Sequence, residues 1–116
     1  MTMFTGGCHC GQVRFEVTAD LSQVTSCNCS ICQRRGFLWA FVPPEKFALR
    51  SGEDALSEYR FNRKVIQHLF CTDCGVESFA RGTAPDGKAM IAVNARCLDG
   101  VEPTTLNAVA FDGRSL

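Results

Sequence analysis

The sequence predicts a small, mainly β fold in which two sheets pack together and short helical turns join some of the strands. Short runs of aromatic and β-branched residues recur about every 8 to 12 residues, and Gly, Pro, Asp or Asn separates most of them. The pattern contains no amphipathic stretch long enough for a substantial helix. With 116 residues the chain has the size of one domain, and we expect a single domain over residues 1–116.

The clearest predicted strand is QVRFEVTA, at residues 12–19. Its apolar residues Val13, Phe15 and Val17 alternate with polar ones, so one face of the strand is expected to be buried. Six further strands are predicted from shorter runs of the same kind. They cover residues 38–42, 47–51, 56–61, 65–70, 77–82 and 88–96.

Two short helical segments are predicted between strands. Ser30 is expected to cap a helix over ICQRR, which Gly36 ends. The run PPEKF is expected to form one helical turn with Pro44 at its first position. The strands are short and closely spaced, and they are therefore expected to pair mainly in the antiparallel sense.

Charge and hydropathy argue against nucleic-acid and membrane partners. The 12 Lys and Arg residues equal the 12 Asp and Glu residues in number, so no overall positive field attracts a polyanion. The run MTMFTGGCHCGQ at the start has none of the regions of a signal peptide. The longest apolar run, FLWAFV, is far below the roughly 18 residues of a membrane span. We therefore expect a cytoplasmic protein.

Eight cysteines are a high number for a chain of this length. In a reducing compartment such a number indicates metal binding, whereas disulfides are the alternative if the protein is exported. Seven of the cysteines form three clusters, and Cys97 stands alone. The clusters are Cys8 with Cys10, Cys27 with Cys29 and Cys32, and Cys71 with Cys74.

The two cysteine pairs together supply the four ligands of a structural zinc site. In an extended C-x-C segment both thiols point to one side, so Cys8 and Cys10 are expected to face the metal while His9 turns away. Cys71 and Cys74 match the tight turn of a zinc knuckle. Such a site would stabilise a small core. The spacing also allows the clusters to exchange partners.

The remaining cluster, Cys27, Cys29 and Cys32, has three ligands, as in a catalytic zinc site that keeps one position open. Zinc held by three thiolates is a weak Lewis acid, but it can keep deprotonated an incoming thiol whose free pKa is about 8.5. Arg34 and Arg35 follow directly and are candidates to bind the carboxylates of an acidic thiol peptide. The alternative is that both arginines form the solvated end of a helix.

A second structural zinc is the alternative interpretation of the three-cysteine cluster. Cys97, His68 or another residue would then complete the ligand set. His9 and His68 are otherwise interpreted as ordinary surface or partly buried histidines. Trp39 and the phenylalanines are assigned to the core, and Cys97 is interpreted as a small buried apolar residue.

Four motifs, in order along the chain, carry a resemblance to a known family: GGCHCGQVRFEV, CNCSICQRRG, SGEDALSEYRF and FCTDCG. Together they resemble the glutathione-dependent formaldehyde-activating enzymes, also called the centromere protein V domain family, over roughly residues 6–100. The resemblance implies a small Mss4-like β fold. It also implies a structural zinc on Cys8, Cys10, Cys71 and Cys74, and a catalytic zinc on Cys27, Cys29 and Cys32.

The founding activity of that family is S-hydroxymethylglutathione synthesis, which is classed with the carbon-sulfur lyases. The resemblance thus implies a zinc-dependent lyase whose substrate is an adduct of glutathione, or a related thiol, with a small aldehyde. One alternative is a non-enzymatic, zinc-stabilised binding module with a basic face of Arg34, Arg35, Arg63 and Lys64. Another is an enzyme similar to methionine sulfoxide reductases, with Cys97 as its nucleophile.

Overall fold

The structure is a computed structural model and describes residues 1–60 and 66–115. These ranges contain ten strands and one α-helix, α1 (Ser30–Arg35). The strands are β1 (Thr2–Gly7), β2 (Arg14–Ala19), β3 (Val24–Cys27), β4 (Trp39–Val42), β5 (Phe47–Ser51), β6 (Leu56–Tyr59), β7 (Gln67–Cys71), β8 (Phe79–Thr83), β9 (Ala89–Asn94) and β10 (Ala108–Phe111).

The strands form two sheets, as the sequence predicts. The smaller sheet has the order β1-β2-β5, and the larger has the order β10-β3-β4-β9-β8-β7-β6. Strand β10 runs parallel to β3, whereas the other neighbouring strands run antiparallel. The prediction of a mainly β, mainly antiparallel fold is confirmed.

Three phenylalanine rings join the two sheets in the core. Phe15 on β2 lies 5.2 Å from Phe47 on β5 and 6.2 Å from Phe79 on β8, measured between ring centroids. Phe47 and Phe79 lie 4.8 Å apart. Val13 and Val17 are buried beside Phe15, so the predicted alternation of the 12–19 segment is confirmed. Burial of each such side chain contributes about 1.5–3 kcal/mol.

Strands β1, β3 and β10 are not predicted from the sequence. Strand β1 ends in two glycines, and all four side chains of β10 are exposed, so neither shows the periodicity of a half-buried strand. Strand β10 is an edge strand that depends on its pairing with β3. Several observed strands are shorter than predicted, and residues 61 and 65, at the ends of two predicted strands, lie outside the described residues.

The helical predictions are largely confirmed, with one correction. Cys29, not Ser30, is the N-cap residue of α1, and no side-chain hydrogen bond caps the helix. Gly36, with φ of +70°, ends the helix as predicted, and its N–H donates to the Cys32 carbonyl. A single 3-10 turn spans Pro44–Lys46 with Pro44 at its first position. None of the described helices has the length and apolar character needed to cross a membrane.

Candidate metal centres

The sulfur atoms of Cys8, Cys10, Cys71 and Cys74 all lie within 4.8 Å of one another. The Sγ atom of Cys10 is 3.6 Å from that of Cys8 and 3.6 Å from that of Cys71. Four sulfur ligands at a Zn–S distance of about 2.3 Å would be about 3.8 Å apart in a tetrahedron. The four thiols therefore fit a single tetrahedral metal ion.

Two turns position these cysteines, one next to strands of the smaller sheet and one next to a strand of the larger sheet. Cys8 and Cys10 lie in the connection between β1 and β2, whereas Cys71 ends β7 and Cys74 lies in the turn that follows. The prediction of an extended C-x-C segment is wrong, because residues 9–10 form a turn. The turn nevertheless brings both thiols to the site and leaves His9 exposed.

Hydrogen-bond donors lie beside several thiols of this cluster. The backbone N–H of Val13 donates to Cys8 Sγ at 3.3 Å, and the side chain of Gln12 donates to Cys10 Sγ. Burial opposes the ionisation of Cys74, but hydrogen bonds from backbone N–H groups, first that of Val76, lower its pKa to about 6. Metal coordination requires deprotonated cysteine, and the surroundings favour this form at Cys10 and Cys74. At Cys71 the backbone N–H of Cys74 acts in the same direction, but burial and the hydrogen bonds with neighbouring thiols outweigh it and raise the pKa to about 11.

The second cluster is formed by Cys27, Cys29 and Cys32, whose sulfur atoms also lie within 4.8 Å of one another. Cys27 ends β3, Cys29 precedes the first residue of α1 and Cys32 lies within the helix. Residues three apart on a helix share a face, and this places Cys32 beside Cys29. The backbone N–H of Cys29 donates to Cys27 Sγ at 3.4 Å.

Trp39 donates a hydrogen bond to a thiol of the second cluster, a role that the sequence does not reveal. Its Nε1 donates to Cys32 Sγ at 3.3 Å, and its ring lies 4.2 Å from that of Phe37. Burial raises the pKa of Cys32, and the hydrogen bond from Trp39 acts in the opposite direction. Trp39 is buried as predicted, but it is also a donor to a candidate ligand.

The second cluster holds three ligands in the part of the chain that the structure describes. No fourth His, Cys, Asp or Glu lies within the same distance there, so neither Cys97 nor His68 completes the set. Burial raises the pKa of Cys97 to about 11, whereas a nucleophilic cysteine needs a lowered pKa. The structure therefore offers no support for the proposed nucleophile of a methionine sulfoxide reductase.

His68 is buried, so its interpretation as a surface or partly buried histidine is wrong. It is 3% exposed, and its Nδ1 lies 2.7 Å from the carboxylate of Glu77, which is also buried. Arg35 donates to the other oxygen of the same carboxylate. A buried carboxylate with a histidine and an arginine satisfies the rule that buried charges are paired.

The two predicted substrate-binding arginines lie in the last turn of α1. Arg34 donates to the Ser30 carbonyl at 3.0 Å, and Arg35 pairs with Glu77. Both line a groove of about 430 Å³, and no cysteine lines it. Of the predicted basic face, Arg63 and Lys64 lie outside the described residues.

A separate cavity of about 470 Å³ lies against the second cluster. Cys27 and Cys32 line it, together with Phe37, Arg96 and residues near the end of β10. A larger cavity, of about 700 Å³, is lined mainly by residues 49–55 and by none of the seven clustered cysteines. The 470 Å³ cavity therefore gives a small molecule access to Cys27 and Cys32.

Comparison with known proteins agrees with this arrangement. A sequence model described as "Glutathione-dependent formaldehyde-activating enzyme" matches residues 3–111. The chain belongs to this family. The predicted resemblance is confirmed, and the match includes both cysteine clusters.

Two relatives extend the comparison. A protein of Talaromyces marneffei, provisionally named a glutathione-dependent formaldehyde-activating enzyme, is 34% identical in a match of 87 residues that covers 67% of this chain. The match covers 46% of that relative, so the chain spans about half its length. The crystal structure of a Rhodobacter sphaeroides protein superposes with a TM-score of 0.81 at 30% identity. The superposition covers 91% of this chain and 97% of that one, and confirms the fold of this family member.

Proposed function

We propose that this protein is a zinc-dependent carbon-sulfur lyase that acts on the adduct of glutathione, or a related thiol, with a small aldehyde such as formaldehyde. The observation that carries the proposal is the second cluster, Cys27, Cys29 and Cys32. It has three thiols, lacks a fourth ligand among the described residues and borders a cavity. Three protein ligands with an open position are typical of catalytic zinc sites.

We assign a structural zinc to Cys8, Cys10, Cys71 and Cys74, and a catalytic zinc to Cys27, Cys29 and Cys32. The donor sets support this assignment, because four sulfurs close one tetrahedral site and three leave the other open. A catalytic zinc would supply a coordination position at which a substrate thiol loses its proton near neutral pH. All eight cysteines are free, and both sites need reduced thiols, so we place the protein in a reducing compartment such as the cytoplasm.

The chain's own residues would hold the three ligand thiolates in place and limit their contact with water. The N–H of Trp39 and the backbone N–H of Cys29 donate to two of the three sulfurs. Phe37 and Trp39 form an apolar wall behind them. Arg34 and Arg35 remain predicted contacts for a carboxylate of the thiol, although they line a different groove from the cavity beside Cys27 and Cys32.

The chemistry itself is a reversible addition. In the synthetic direction, a thiolate sulfur attacks the carbonyl carbon of formaldehyde, a carbon-sulfur bond forms, and the carbonyl oxygen takes up a proton. In the reverse direction, that hydroxyl loses its proton, the carbon-sulfur bond breaks, and the thiolate leaves. No oxidant or reductant is needed in either direction.

Replacement of Cys29 by serine tests the proposal. Glutathione and formaldehyde combine spontaneously, so the measurement is the rate of exchange between free glutathione and its hydroxymethyl adduct, followed by NMR exchange spectroscopy. We expect the wild-type protein to accelerate this exchange and Cys29→Ser to abolish the acceleration with thermal unfolding nearly unchanged. Cys97→Ser is the matched control and should remain active. A wild-type protein with both zincs that leaves the rate unchanged contradicts the proposal.

A further inference from the structure

The cavity beside the three-cysteine cluster is lined by an arginine, Arg96, that is not among the site residues predicted from the sequence. Its walls come from the end of β3, from α1 and from the end of β10. Two of the described residues that line it carry a charge at neutral pH, Arg96 and Asp112. Arg96 is therefore the cationic side chain that shares this cavity with Cys27 and Cys32.

Two hydrogen bonds hold Arg96 in place. Its Nε donates to the Gly36 carbonyl at 2.8 Å, at the end of α1, and its backbone N–H donates to the Asn94 side chain at 3.2 Å. Within residues 1–60 and 66–115 the two terminal nitrogens of its guanidinium group have no hydrogen-bond partner. The side chain is thus anchored at Nε and keeps its terminal donors for a ligand.

Asp112 does not neutralise this arginine. Its carboxylate accepts hydrogen bonds from Asn28 Nδ2 at 3.0 Å and from Ser115 Oγ at 2.6 Å, which keep it on the carboxyl-terminal segment. The described residues contain no ion pair between Asp112 and Arg96. By contrast, Arg35 in the other groove is paired with the buried Glu77.

A guanidinium group with two free terminal nitrogens presents the fork that binds a carboxylate with two parallel hydrogen bonds. We propose that Arg96 binds a carboxylate of the thiol substrate while the thiol reaches the three-cysteine cluster, so that the protein selects acidic thiols. This inference rests on the proposed function. It assigns substrate selection to a residue far from the cysteine motifs, in a cavity that Arg34 and Arg35 do not line.

The test compares glutathione with glutathione diethyl ester, which has the same thiol but no free carboxylate. Binding of each to the zinc-loaded protein is measured by titration calorimetry. We expect the wild-type protein to bind glutathione roughly tenfold or more tightly than the diester. Arg96→Gln should reduce this preference to less than about threefold, with the affinity for the diester unchanged. Arg96→Lys should retain part of the preference because the charge remains.

Arg50→Gln is the matched control. Arg50 is an exposed arginine on β5, paired with Glu16 and outside the cavity, and its replacement removes the same charge. The control variant should keep the full preference. In kinetic measurements Arg96→Gln should raise KM for glutathione and leave kcat within about twofold.

Four results would overturn the inference. An unchanged preference in Arg96→Gln removes the role of Arg96, and an equal loss in Arg50→Gln shows that net charge alone is responsible. A preference that disappears only in Arg34→Gln or Arg35→Gln assigns the carboxylate to the other groove. A wild-type protein that binds neither thiol overturns the proposed function, and the inference fails with it.

Discussion

At the scale of single residues, the second cluster depends on contacts that reach it from other parts of the chain. Trp39 donates to Cys32 Sγ from β4, and the backbone of Gly113 lies against Cys27. A Cβ atom on Gly113 would lie 2.5 Å from Cys27 Sγ, which is closer than a Cβ atom comes to a non-bonded atom in proteins. The residue at this position therefore has to be small, which lets the carboxyl-terminal segment pack beside the cluster.

Trp39→Phe should weaken metal binding at the second cluster. The phenyl ring fills most of the same volume but lacks the Nε1 donor to Cys32 Sγ. Loss of a hydrogen bond to a ligand typically reduces metal affinity about 10–100-fold. Competition with a chromophoric chelator would measure this change as one zinc that is released more readily.

The four-cysteine cluster of Cys8, Cys10, Cys71 and Cys74 serves as an internal control. Trp39 makes no hydrogen bond to these thiols in the described residues. Its zinc should be as resistant to the chelator in Trp39→Phe as in the wild-type protein. Equal weakening of both zincs would show a general loss of stability and contradict a specific role for the indole N–H. Cys97→Ser provides a second reference, since Cys97 belongs to neither cluster.

At the scale of elements, the turn between β5 and β6 packs closely against the connection between β1 and β2. Gly52 lies in this turn with φ of +89°, a conformation that other residues rarely adopt. A Cβ atom there would lie 2.4 Å from the Gln12 carbonyl oxygen and 2.7 Å from Val13 Cα. This contact explains the glycine of the SGEDALSEYRF motif, because only glycine suits both the backbone angle and the space.

Gly52→Ala should lower the free energy of unfolding by about 3 kcal/mol, since the left-handed conformation and the backbone contact both oppose a methyl group. Gly87→Ala is the matched control. Gly87 has a similar φ of +85° but nothing within 4 Å of its Cβ position, so its replacement should cost about 1 kcal/mol. Urea unfolding in the presence of zinc measures both values. Equal losses would mean that the close packing contributes nothing.

At the scale of the whole molecule, the four-cysteine cluster joins the two sheets. Cys8 and Cys10 belong to the connection within the three-stranded sheet, whereas Cys71 ends β7 of the seven-stranded sheet and Cys74 follows that strand. The three phenylalanines make the other connection, through the core. A metal ion in the four-cysteine cluster would therefore stabilise the packing of one sheet on the other.

Cys10→Ser should reduce the zinc content from about two to about one per chain and lower the Tm by about 15 °C or more. The thiol of Cys10 is exposed, so its replacement removes a ligand without opening a cavity. Elemental analysis and thermal unfolding provide the two measurements. Cys29→Ser, from the second cluster, should also lose one zinc but change the Tm only slightly. Equal loss of Tm in both variants would make the second zinc structural as well.

Much of the fold and the grouping of the cysteines into clusters could be predicted from the sequence because the signals are local. The alternation of Val13, Phe15 and Val17 identifies a half-buried strand, and the short spacing within each cysteine cluster brings thiols together through a single turn. Strand β10 could not be predicted in this way, because it has no buried face and depends on its partner β3. Glu77 and His68 likewise meet only because β7 and the segment before β8 lie side by side.

The sequence by itself determined the mainly β class, the seven clustered cysteines and the family to which the chain belongs. Only the tertiary structure decided which side chains surround the three-cysteine cluster. Arg96 and Gly36 are 60 residues apart in sequence, and Trp39 reaches Cys32 across a helix end. Ligand spacing is a property of a few consecutive residues, whereas the walls of a cavity depend on how distant strands pack, which no local pattern encodes.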